Sequence, residues 1–174
     1  MNIDFGVMDS LFRAKLEEKI NWKESRELFL DVFEEDDEDY KNFKAMIIRC
    51  EGELDAYCSL LDMLILFIPD EYQLPKDRNR AFSVKIDVKK FRNMVDESFD
   101  EAFGLNTRIK FGNKELISAE DIEKQVQEKI KGKNAEEINN IIYYEDGFTS
   151  VYWWVDILLE NMLTSYEGGD NFFE

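Results

Sequence analysis

Six carboxylates stand in an unbroken row between Phe33 and Tyr40: Glu34, Glu35, Asp36, Asp37, Glu38 and Asp39. Residues of this kind at this spacing can bind a cation, lay a line of negative charge against a basic protein, or occupy the first turn of a helix. A calcium loop of the EF-hand type alternates its ligands with spacers, turns on a glycine and closes with a distant Glu. The row has no glycine and no alternation, and it returns at once to an apolar helical pattern. As a helix cap it exceeds what is required, because two or three acids already satisfy the partial positive charge of a helix N-terminus. Six neighbours repel one another, and salt, protonation or a cationic partner relieves that repulsion.

A second grouping lies near the C-terminus, where Tyr143, Tyr144, Phe148, Tyr152, Trp153 and Trp154 are interleaved with Glu145, Asp146 and Asp156. Most of these rings belong in a core, since aromatics bury large apolar areas. Adjacent Trp153 and Trp154 cannot both face inward, so Trp153 is a candidate exposed anchor flanked by Glu145, Asp146 and Asp156. Aromatic anchors among acids suit a surface that grips a basic protein, the rings supplying desolvated contact and the acids steering.

Other chemistries find little support. The chain has no histidine, the commonest general base and nitrogen metal ligand. Its eight glycines form neither a dinucleotide-binding nor a P-loop pattern. With 39 acidic residues, chance pairs such as Asp36 with Glu38 or Asp96 with Asp100 do not single out a carboxylate enzyme. The expectation is therefore no catalytic residues, no metal and no cofactor. Cys50 and Cys58, eight positions apart on one predicted helix, would lie roughly 12 Å apart, beyond the roughly 7 Å that a disulfide spans. They are expected to be buried free thiols.

The elements that must position these residues follow from periodicity. Asp9 or Ser10 can cap a helix through about Ile20, with Leu11, Ala14 and Leu16 facing inward, and Asn21 with Glu24 has the spacing of a capping box opening a second helix over about 22–34. From Tyr40, apolar residues recur at Phe43, Ile47, Cys50, Leu54, Tyr57, Leu61, Leu64 and Ile68, which predicts a long helix over about 38–68, either continuous or kinked at Gly52. Pro69 ends it, and residues 69–80 read as a connection. Phe82, Val84, Ile86 and Val88 alternate like a half-buried strand, followed by a helix on Val88, Phe91, Val95, Phe99 and Phe103 that Gly104 would stop. Residues 107–117 read as a hairpin turning at Gly112-Asn113. Capping pairs Ser118 with Asp121 and Asn134 with Glu137 open helices near 119–131 and 135–144. The segment from Ser150 to Tyr166 has helical spacing, although 141–154 also reads as a hairpin across Asp146-Gly147.

These readings add up to an α-rich α+β fold: an N-terminal helical portion with one long helix, a small antiparallel β element at about 81–117, and C-terminal helices. At 174 residues the chain fits one domain over 1–174, with a helical lobe 1–76 and a mixed part 77–174 as its natural division. Hydrophobic residues at 44% and aromatics at 14% are too abundant for a disordered acidic chain. The opening MNIDFGVMDS lacks the basic and apolar regions of a signal peptide, so a cytoplasmic location is expected.

The net charge of −17 is segregated: 19 acids against 9 bases in residues 1–76, 11 against 13 in 77–134, and 9 against none in 135–174. Nucleic acids and anionic membranes are poor partners for such a chain, because phosphate contacts depend on Lys and Arg. The expected partner is a basic protein, a nuclease or other nucleic-acid-binding enzyme, and the expected function is its stoichiometric inhibition. In composition and size the chain is similar to bacterial immunity proteins against nuclease toxins, although no residue motif carries that likeness. Phage anti-restriction or anti-CRISPR DNA mimics, and a non-catalytic adaptor or structural subunit, are the alternatives.

Overall fold

The computed structural model describes residues 1–35, 37–72, 76, 78–111 and 120–169, of which 78, 101, 104–111, 120–123, 125 and 166–169 are described by their backbone alone. Within these bounds the chain is an α-rich α+β fold: β1 (Asn2–Asp4), α1 (Phe5–Leu30), α2 (Glu38–Ile65), the single turn α3 (Arg78–Ala81), β2 (Lys85–Asp87), α4 (Val88–Phe111), α5 (Glu120–Ile130) and α6 (Ala135–Gly169).

The first helix begins earlier than its sequence predicts. Asp4 is the extended N-cap residue, and the unsatisfied N–H groups of Phe5 and Gly6 are accepted by the carbonyls of Val84 (2.8 Å) and Phe82 (3.1 Å). Backbone acceptors from another part of the chain thus replace the side-chain cap expected at Asp9 or Ser10. Asp9 is instead buried inside the helix, where Arg13 one turn later donates to both of its oxygens at 3.0 and 2.9 Å. The earlier start adds Phe5, Met8 and Phe12, all buried, to the inner stripe; Leu11 and Leu16 pack against the core as expected, while Ala14 is exposed.

Nor does α1 break at Asn21. The Asn21 carbonyl accepts from Ser25 Oγ in helical register at 2.8 Å. The helix is carried through the expected boundary by its packing against α2, where Lys19 pairs with Glu53 (2.5 Å) and Lys23 with Glu51 (2.8 Å). With Phe12 against Tyr57 below and Phe29 against Phe43 above, these contacts set α1 and α2 antiparallel. Propensity is a weak prior against such contacts.

The β element differs from expectation in its partner. β2 falls within the predicted strand, but it pairs antiparallel with β1 at the N-terminus, Asn2 opposite Asp87, Ile3 opposite Ile86 and Asp4 opposite Lys85. Residues 107–111, expected to begin a hairpin, continue α4, whose backbone stays helical through Gly104; the expected turn at Gly112-Asn113 and the cap at Ser118 lie outside the described residues. The amphipathic run of α4 buries Val88, Phe91 and Val95 in the main core and carries the helix past a glycine that costs about 1 kcal/mol.

The reciprocal capping box at Asn134 and Glu137 is present: Asn134 Oδ1 accepts from the Glu137 N–H (2.9 Å) and Glu137 Oε2 from the Asn134 N–H (2.8 Å). The helix it opens does not stop near residue 144. It joins the predicted C-terminal helix, and the hairpin reading of 141–154 is overturned. Lys44 with Glu136, Asp55 with Tyr144 and Ser59 with Tyr152 set α6 parallel to α2. Arg92 with Asp156 and Glu160 joins it to α4.

Gly52 and Gly147 lie inside continuous helices, and both are there for packing. A Cβ on Gly52 would fall onto the Tyr144 carbonyl oxygen and 2.9 Å from the Phe148 nitrogen; one on Gly147 would fall onto the Arg49 carbonyl oxygen and 3.1 Å from the Glu53 nitrogen. The two backbones cross in direct contact, each glycine facing the other helix. Gly52→Ala or Gly147→Ala in an open helix would stabilise by about 1 kcal/mol through propensity. Here each is expected to destabilise by about 2–4 kcal/mol by overpacking, read as a fall in the urea midpoint with an unchanged slope.

Candidate partner-binding surface

The corner between α1 and α2 presents the acidic row. After Leu30 the chain tightens, with the Val32 N–H donating to the Phe29 carbonyl (3.1 Å) and that of Phe33 to Leu30 (3.3 Å). Phe43 stacks on Phe33 (ring centroids 5.5 Å) and on Phe29 (6.2 Å), closing the corner from inside. Asp37 occupies the N-cap of α2 by backbone geometry, but its carboxylate makes no cap hydrogen bond, and Glu38 and Asp39 fill the first turn. Glu34, Glu35, Asp37, Glu38 and Asp39 are all exposed, and none forms an ion pair with a described residue; Asp36 lies outside the described residues.

The start of α6 lies at the same end of the bundle. Lys44 bridges to Glu136 at 3.2 Å, and a groove of about 540 Å³ between the two helix starts is lined by Glu35, Tyr40, Lys41, Lys44, Glu136 and Tyr143. Glu136, bridged to Lys44, and Glu137, both exposed in the first turn of α6, therefore stand beside the acidic corner. They are functional candidates absent from the sequence reading, because the parallel pairing that brings them here leaves no local signal.

The C-terminal candidates are placed differently. Glu145 is 4% exposed and pairs with Lys129 Nζ, tying α5 to α6. Asp146 is half-buried. Asp156 accepts from Arg92 Nε at 2.6 Å. Only Trp153 presents a large exposed surface, at 57%, and it lies 17 positions beyond Glu136, about 25 Å along the helix. Corner and C-terminal candidates thus do not form one continuous patch; Glu145 and Asp156 neutralise cations within the bundle.

Burial, then the neighbouring Asp156 carboxyl across α4 and α6, pushes the Asp96 carboxyl above its ordinary range, whereas the Arg92 guanidinium holds Asp156 below it. Burial raises the Cys50 thiol to about 11 and also raises Cys58, which disfavours a thiolate nucleophile at neutral pH. Cys50 is buried as expected; Cys58 is exposed, on the outer face of α2. Among the described residues no group of three or more His, Cys, Asp or Glu is placed to hold a metal ion, and no helix is long and apolar enough to cross a membrane.

Two outcomes test these internal pairs. An ionised Asp96 costs stability, a cost absent where it is protonated in acid and present once pH rises through its raised folded value. Asp96→Asn is therefore expected to raise the Tm by about 1–2 °C at pH 7, with the gain vanishing in acid, where Asp156 also loses its contribution as pH falls through its lowered value. Lys129→Ala removes the cation that pairs with buried Glu145 and is expected to cost about 1–3 kcal/mol in thermal unfolding, partly recovered by adding Glu145→Gln. Compared with known proteins, the chain matches no protein-family model, no curated protein and no solved structure.

Proposed function

We propose that this protein is an acidic inhibitor that binds and neutralises a basic, nucleic-acid-binding enzyme, in the manner of an immunity protein against a nuclease toxin. The observation that carries the reading is the corner itself: Glu34, Glu35, Asp37, Glu38 and Asp39 are exposed between α1 and the first turn of α2, none paired with a described residue. Where one helix packs against another, acids meet Lys or Arg, as at Glu51, Glu53, Glu145 and Asp156. Five such carboxylates repel one another, and a partner bearing Lys and Arg would relieve that repulsion. The net charge of −17 adds long-range steering toward such a partner.

The clustering favours this reading over a DNA mimic. A mimic of duplex DNA would carry its acids along an extended face at regular intervals, whereas here Glu145 and Asp156 are turned to internal pairing.

The test begins with affinity capture from the source cells at low and high salt. The expected partner is a basic nucleic-acid-cleaving protein released by salt; a neutral or acidic partner overturns the reading. Changing Glu34, Glu35 and Glu38 to Gln and Asp37 and Asp39 to Asn together is expected to slow association with that partner about tenfold or more at low salt, with the loss shrinking at high salt. The folded state should change little in stability, relief of repulsion offsetting the lost helix-dipole contribution of Glu38 and Asp39, about 0.3–1 kcal/mol each.

A further inference from the structure

Beside the acidic corner the end of α1 and the turn after it expose apolar surface that the described residues do not cover. Leu28 is 75% exposed, Val32 74% and Phe29 48%. Leu28 and Phe29 lie in the last turn of α1, and Val32 follows in the turn after it, its N–H bonded to the Phe29 carbonyl at 3.1 Å, so the three fall within five positions. Packing against α2 accounts for their neighbours: Phe33 and one face of Phe29 stack on Phe43, leaving Leu28 and Val32 directed away from the corner's interior. Three large exposed apolar side chains so close together form a local patch, not the singly scattered apolar residues normal for a surface.

The charge around the patch selects what can cover it. From Glu27 to Asp39 the chain carries eight acids and no base. Arg26, the only basic residue between positions 24 and 40, lies over the rings of Trp22 (5.2 Å) and Phe29 (6.0 Å). An anionic lipid surface would be repelled by the adjoining carboxylates. A second copy of the chain meeting this turn about a two-fold axis would bring the same acids against themselves. An amphipathic helix with Lys and Arg flanking an apolar stripe matches both features at once, its apolar side chains on Leu28, Phe29 and Val32 and its cations on Glu34, Glu35, Asp37, Glu38 and Asp39.

We propose that the end of α1 and the turn after it form the apolar anchor site for a cationic amphipathic helix of the partner, with the adjoining acidic row as its electrostatic guide. The proposal rests on the acidic-inhibitor reading and deepens it. Acids steer and set the association rate, while the desolvated apolar contact sets how long the complex lasts.

The probe is a fluorescent helical peptide of alternating leucine and lysine faces, with a control in which serine replaces every leucine, titrated by anisotropy against the full chain. Leu28→Ser with Val32→Ser, both at exposed positions outside the core, is expected to weaken binding of the leucine peptide about tenfold at both low and high salt, chiefly through faster dissociation. The serine peptide should bind both proteins alike. Unchanged binding of the leucine peptide to the double variant overturns the anchor site. If that result comes with loss of binding on neutralising the corner acids, the anchor fails while the acidic-inhibitor reading stands; if neutralisation is also silent, both fail. Sensitivity to the double variant without sensitivity to the acids overturns the cationic partner. Cosedimentation with phosphatidylserine vesicles, or self-association in ultracentrifugation, that the double variant abolishes would assign the patch to a membrane or a second copy and overturn the proposal.

Discussion

The crossing of α2 and α6 at Gly52 and Gly147 is the constraint from which the rest of the arrangement follows. Two helix backbones approach there without side chains between them, and the register of that contact leaves no freedom to slide. On one side of the crossing Lys44 reaches Glu136, and on the other Asp55 accepts from the Tyr144 hydroxyl (2.5 Å) and Tyr152 donates to Ser59 (2.9 Å). Burial and then the Asp55 carboxylate push the Tyr144 phenol well above its ordinary range, so the hydroxyl remains a donor at any physiological pH. Parallel helices in this register put the start of α6 beside the start of α2. Glu136 and Glu137 stand beside the acidic corner for that reason alone.

At the opposite end the N-terminal strand does comparable positional work. β1 pairs with β2, Val88 N–H donates to the Met1 carbonyl (3.2 Å), and Val84 and Phe82 cap α1. The apolar residues Phe5, Met8 and Phe12 then meet Tyr57, Leu60, Leu64, Phe91 and Val95 in one core with Tyr152 and Val155 of α6. With α1 anchored at its start and paired to α2 by Lys19 and Lys23, its length carries its last turn and the turn after it beyond the deepest part of the core, which leaves Leu28 and Val32 exposed.

Charge is divided by the same geometry. Acids on helix faces that meet another helix find cations: Glu53 and Glu51 on α2, Glu145 and Asp156 on α6. Acids at the corner face solvent, where their interaction is long-ranged and sensitive to salt. A chain of net charge −17 can therefore have a well-satisfied interior and still present one end as strongly anionic.

Much of this was legible in the residues alone: the α-rich class, the long helix from Glu38, the strand at Ile86, the stripe Val88, Phe91, Val95, the capping box at Asn134 and the position of the acidic row. All depend on period or on neighbours within a few positions, which a sequence displays directly. What tertiary structure alone decided has a common cause, that the deciding partner is distant in the chain. Asn21 does not start a helix because Glu51 and Glu53 hold Lys23 and Lys19 on a continuous one. Gly52 and Gly147 read as a kink and a turn until each is seen to face the other's backbone. Glu145 and Asp156 resemble surface acids until Lys129 and Arg92 arrive beside them, from 16 and 64 positions away. Local sequence sets which conformations are cheap, and contacts between distant segments, each worth as much as or more than those local preferences, choose among them.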